Sequence, residues 1–140
     1  MSTMRGKALV ALAAMAVSAL TMVAPAAAHT TVYPTAIDMQ SDVLNGSSDD
    51  GYLAAASGFL TSTKHNCLAR RTINFYTSSG GTQTLRDVDL SSLNAAWAVR
   101  AVTPSPQDGF TVKVTRKRVD RRLGPHRRHI CGGAAVSFVF

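Results

Sequence analysis

The chain has 140 residues, 46% of them hydrophobic and 16% charged, with a formal charge of +7, two cysteines and no glutamate. That length suits one domain with a modest core. The missing glutamate removes the commonest exposed helix former and its pairs with lysine, which argues against a helical protein and towards strands.

At the start, Arg5 and Lys7 precede an apolar stretch from Ala8 to Ala24, broken only by Ser18 and Thr21 and followed by Pro25-Ala26-Ala27-Ala28. A charged start, an apolar middle and an A-x-A end describe a helical secretory signal peptide over residues 1–28, cleaved on export. A membrane anchor is the competing reading. The stretch is mostly alanine, however, and ends in small residues rather than basic flanks. Cleavage after Ala28 would begin a secreted, extracellular domain, residues 29–140, at His29, with Ala24-Pro25-Ala26 as a second site. Losing Arg5 and Lys7 takes the formal charge from +7 to +5. The remaining charge is uneven: Asp38, Asp42, Asp49 and Asp50 lie early, and the basic residues crowd between Lys113 and Arg128.

Along the exported part, Thr31 to Met39 reads as an edge strand, because Pro34 interrupts it and proline is tolerated only at an edge. Gln40 to Gly51 reads as a loop, Tyr52 to Ser62 as a strand rich in small residues, and Thr63 to Arg70 as a loop. Arg71 to Thr77, with Ile73 and Phe75 in phase, and Thr82 to Leu90, with Val88 and Leu90 in phase and Leu85 opposite, flank the turn Ser78-Ser79-Gly80-Gly81. They form one expected hairpin. Trp97 to Val102 and Phe110 to Val119, joined through Pro104-Ser105-Pro106-Gln107-Asp108-Gly109, form another, with Trp97 in the core. Asp120 to His129 reads as a loop, and Ile130 to Phe140 as the last strand. The sum is an all-β fold, a seven-stranded antiparallel β-sandwich of immunoglobulin-like or transthyretin-like type.

Cys67 and Cys131 are an even pair without metal-type spacing, in a chain whose leader implies an oxidising exterior; a disulfide is the simplest use, two buried thiols the alternative. Closing so long a loop would stabilise the fold by about 4 kcal/mol in the chain-entropy view.

Gly58-Phe59-Leu60-Thr61-Ser62, then Cys67, Arg71-Thr72-Ile73-Asn74-Phe75-Tyr76, the Trp97 strand, Gly109-Phe110-Thr111-Val112-Lys113-Val114, and Cys131 with Ala134-Ala135-Val136-Ser137-Phe138 together resemble exported bacterial domains of carboxypeptidase-regulatory-like or transthyretin-like type. The resemblance spans about residues 31–140. It implies a sandwich architecture, a disulfide and a non-catalytic module, and it carries no active-site residues. Where such domains have Asp and Gly before the aromatic strand, this chain has Ser92-Leu93-Asn94-Ala95-Ala96.

The richest chemistry lies in Arg116, Lys117, Arg118, Arg121, Arg122, Arg127 and Arg128. Arginine forks suit phosphate, sulfate and carboxylate, so an anionic wall polymer or an acidic partner is the expected ligand if the segment is more than a solvated, solubilising loop. It lacks stacking aromatics, which weakens a nucleic-acid reading. His29 at a processed terminus would offer an imidazole and an α-amine, a chelate suited to copper(II), but Thr30-Thr31-Val32-Tyr33-Pro34 lacks the motif that follows such a histidine in copper proteins. No Gly-x-Ser-x-Gly elbow or paired carboxylates appear, so no enzyme and no cofactor are expected. The reading is a secreted, monomeric, non-catalytic binding or structural module, with polyanion binding as the alternative and copper binding behind it.

Overall fold

In a computed structural model, residues 29–119 and 127–140 are described, and 76 of them lie in ten strands. The expected signal peptide and the residues 120–126, which include Arg121 and Arg122, lie outside the described residues. Among the described residues there is no α-helix, only the 3-10 turn His65–Cys67, and no helix long and apolar enough to cross a membrane.

Seven strands build two facing sheets. One has the order β2-β3-β6, from β2 (Thr35–Ser48), β3 (Gly51–Ser62) and β6 (Ala96–Thr103). The other has the order β10-β7-β4-β5, from β4 (Thr72–Ser79), β5 (Thr82–Leu90), β7 (Gly109–Val114) and β10 (Ala134–Val139). The strand period of two turns alternate side chains inward, and these meet in one core: Ala54, Ala56 and Leu60 from β3, Trp97 and Val99 from β6, Ile73 and Phe75 from β4, Phe110, Val112 and Val114 from β7. The small residues of β3 leave room for Trp97, and a Cβ on Gly58 would collide with the Asp38 carbonyl and press on the indole. Three more strands, β1 (His29–Tyr33), β8 (Lys117–Val119) and β9 (Arg127–Cys131), form an accessory sheet in the order β1-β9-β8.

The strand count is therefore ten rather than seven, and β1 runs parallel to β9, so the fold is not wholly antiparallel. The three extra strands arise where single expected runs are cut: Phe110 to Val119 is broken at Thr115-Arg116 into β7 and β8, and the other two breaks fall at Pro34 and at a glycine pair. Pro34, which cannot donate to a ladder, separates β1 from β2 and sends them to different sheets; Gly132 and Gly133 likewise split the expected final strand into β9 and β10. The expected loop from Gln40 to Gly51 is mostly strand. β2 is an edge, where register shifts after Met39 and after Val43 absorb its polar residues, and Asn45 takes a left-handed φ of 57°. Asn45 donates from Nδ2 to the Gln107 carbonyl (2.9 Å) and accepts from the Gln107 N–H (2.7 Å), tying β2 to the link before β7.

The hairpin β4-β5 is found as expected, with φ of 57° at Gly80 and 79° at Gly81, as a two-residue hairpin turn requires. A register shift after Phe75, opposite Arg86, reverses the phase of β5, so Leu85, Val88 and Leu90 all face outward and Asp87 and Asp89 face the sandwich edge. The expected hairpin of β6 with β7 is not formed: β6 pairs with β3, and β7 pairs with β4 and β10. Alternation alone cannot separate two strands paired within a sheet from two strands facing across a core.

Cys67 and Cys131 are joined, with Cα atoms 5.3 Å apart. The bridge ties the turn after β3 to β9 and packs with Val119 and Tyr33, in a cluster separate from the one that buries Trp97. Trp97 is in the core as expected, at 3% exposure, but in the main cluster rather than beside the disulfide.

Candidate functional site

The described residues of the basic segment are divided between strands rather than gathered in one loop. Lys117 and Arg118 lie in β8 and Arg127 and Arg128 in β9, so strand alternation sends them to opposite faces of the accessory sheet. Pairing of Arg118 with Ile130, of Ile130 with Val32 and of Arg128 with Thr30 defines the outer face: Arg118, Arg128, Ile130, Val32 and Thr30. The inner face holds Lys117, Val119, Cys131, His129, Tyr33 and Arg127, and it packs its apolar members onto the disulfide. Residues 127–129, expected in a loop, are therefore in a strand.

Lys117 is committed within the fold. Its Nζ donates to the carbonyls of Ala69 (3.3 Å) and Arg70 (3.2 Å). Desolvation lowers its pKa, and repulsion from Arg71 and Arg70 lowers it further. Tyr33 carries the His129 ring edge-on at 5.4 Å and Lys64 Nζ at 4.9 Å from its centroid, a cation-π contact.

Behind Lys117 stands the residue that the sequence reading did not single out. Arg71 is fully buried, and no carboxylate accepts from it in the described hydrogen bonds. Its Nη1 donates to Thr35 Oγ1 (3.0 Å) and the Cys67 carbonyl (2.7 Å), and its Nη2 to the carbonyls of Thr115 (2.8 Å) and Gly132 (2.7 Å). Burial lowers its pKa. The fork joins the places where the chain leaves the sandwich for the accessory sheet: before β2, after β7 and before β10. Among the described residues its partners are all neutral, so the guanidinium charge lies beneath that sheet with no carboxylate bonded to it there.

Two open clefts flank β8. One, of about 750 Å³, lies where the accessory sheet meets β7 and β10, and is lined by Val32, Lys113, Arg116 and the start of β10 at Ala134 and Ala135, among others. The other, of about 570 Å³, is lined by His65, Arg70, Lys117 and Arg118 with Asn66 and Leu93. Neither lining contains an aspartate. Cations gathered without acids favour an anionic occupant.

His29 stands opposite Arg127 in the β1-β9 register. Among the described residues no group of three or more His, Cys, Asp or Glu could hold a metal ion. No family model matches the chain, and searches of curated proteins and of solved structures find no match.

Proposed function

We propose that this protein is a secreted, non-catalytic β-sandwich module that binds an anionic polymer through the outer face of its accessory sheet. The observation that carries the reading is the shared face of Arg118 and Arg128, continuous through Val32 with the acid-free cleft that Arg116 lines. Two forked cations on one rigid sheet can grip successive phosphate, sulfate or carboxylate groups, because strand pairing holds their spacing. Export agrees with the leader-like start and with the disulfide. The order β2-β3-β6 facing β10-β7-β4-β5 supports an immunoglobulin-like arrangement, in keeping with the resemblance to exported bacterial sandwich domains. The exported domains that the chain resembles are mostly non-catalytic, which supports a binding role; because a fold does not fix a function, the proposal rests on the cationic face rather than on the architecture.

Retention on immobilised heparin, followed against salt concentration, tests this. Affinity of the wild type should fall linearly in log-log form, and Arg118→Gln with Arg128→Gln should flatten the slope. The control pair Arg86→Gln with Arg100→Gln removes the same charge elsewhere. An equal effect of both pairs would mean that net charge alone drives retention, and the proposal would be dropped.

A further inference from the structure

The larger cleft has a composition that a plain polyanion does not need. Its lining includes Val32 and Ala135, which pairs with Lys113 on the outward face of β10-β7, while Lys113 and Arg116 are exposed at its sides; Val114 and Ala134, paired with each other, turn to the core-facing side of the same strands. Val32 is 46% exposed although it belongs to a sheet whose other face is packed. Two glycines join β9 to β10 at the edge of the cleft, where a Cβ on Gly133 would press on the Val114 carbonyl at 3.1 Å and on Arg116 Cγ at 3.4 Å. At about 750 Å³ the cleft falls within the range of small-molecule sites, roughly 300–1,000 Å³.

The geometry points to a site for a single-chain alkyl phosphate, with its headgroup between Lys113 and Arg116 and its alkyl chain over Val32 and Ala135. Two cations with no acid among the described lining residues match a phosphate monoester, which carries about −1.5 to −2 charges at pH 7, better than a carboxylate with one. Arg116 supplies the fork and Lys113 a compact charge. The apolar lining gives the alkyl chain somewhere to leave water. The inference deepens the proposed function and rests on it for the anionic character of the ligand, since Arg116 serves both surfaces. It adds an apolar requirement that heparin cannot meet.

Titration calorimetry of the purified domain with monomeric dodecyl phosphate tests it, with dodecanoate, dodecanol and inorganic phosphate as comparison ligands. One saturable site is expected, at least tenfold tighter for dodecyl phosphate than for any of the three. Lys113→Gln should weaken it about tenfold, and Ala135→Trp, which fills the cleft from an exposed position, should abolish it. Ala135→Trp, which changes no charge, should keep the heparin elution of the wild type, and equal thermal midpoints would show that both variants fold. Equal binding of dodecanol or inorganic phosphate would overturn the inference, as would an Ala135→Trp protein that binds normally. Absent dodecyl phosphate binding with intact, Arg118- and Arg128-dependent heparin retention removes the alkyl site and leaves the polymer face standing. The reverse pattern removes the polymer face instead.

Discussion

Asp87 reaches from one sheet to the backbone of Arg100 in the other: its Oδ2 accepts the Arg100 N–H at 2.8 Å, while its Oδ1 accepts the N–H of Val88 at 2.9 Å. Asp89 repeats the contact two residues along, accepting the Ala98 N–H at 2.9 Å. β6 ends its sheet, so these are edge donors, and the two carboxylates occupy the places that another strand would take. The sandwich is sealed on this side by side chains rather than by a ladder.

Replacing both aspartates by alanine should therefore lower stability by about 2–3 kcal/mol, the low end for two partly exposed hydrogen bonds to charged acceptors. It should also expose a strand edge. Urea denaturation reads the first effect and sedimentation velocity the second, with concentration-dependent association expected of the variant only.

Arg71 is the other joint. Arg71→Ala would strand the buried carbonyls of Cys67 and Gly132 and the half-buried one of Thr115, and cost at least about 3 kcal/mol. Arg71→Lys keeps a cation but loses the planar fork, and should recover less than half of that loss in the same denaturation experiment.

The lysine above it gives a pH signature. Lys117 has its pKa lowered in the folded protein by desolvation and then by Arg71 and Arg70, so the unfolded chain holds the proton more tightly. Between the folded value and the ordinary one of 10.5, stability should rise with pH. Subtracting the profile of Lys117→Met isolates this contribution, and a difference that falls with alkalinity would contradict the assignment.

Both half-cystines are fully buried. Dithiothreitol should leave the native protein unreduced until urea opens it, as a thiol count over time would show. Cys67→Ala with Cys131→Ala should cost about 4 kcal/mol, the chain-entropy value for so long a loop.

Some of this was legible beforehand. Gly80 and Gly81 announced their hairpin because that turn needs two left-handed residues, and the cysteines had no better partner than each other. The even alternation of Phe110, Val112 and Val114 marked β7. What misled was phase without partners. The hydrophobic faces of β6 and β7 look alike whether the strands pair or oppose, and the bulge at Arg86 turned Val88 and Leu90 outward, where they are 52% and 59% exposed. The basic run resembled one patch because a list of residues has no faces; two strands divided it. Arg71 gave no signal, since its partners are backbone carbonyls, which any sequence supplies.

The disulfide also decides what a protease could remove. Arg116 to Arg128 is rich in trypsin-type cleavage sites, and Cys131 lies beyond all of them while Cys67 lies before. A cut anywhere between Arg116 and Arg128 would leave the C-terminal piece, with β10, covalently held to the body of the protein. β10 is also paired with β7 along Ala134 to Val139, so the piece would stay in place as well as attached. A nicked molecule would run as two bands only after reduction, and could keep its sandwich while its basic strands came apart.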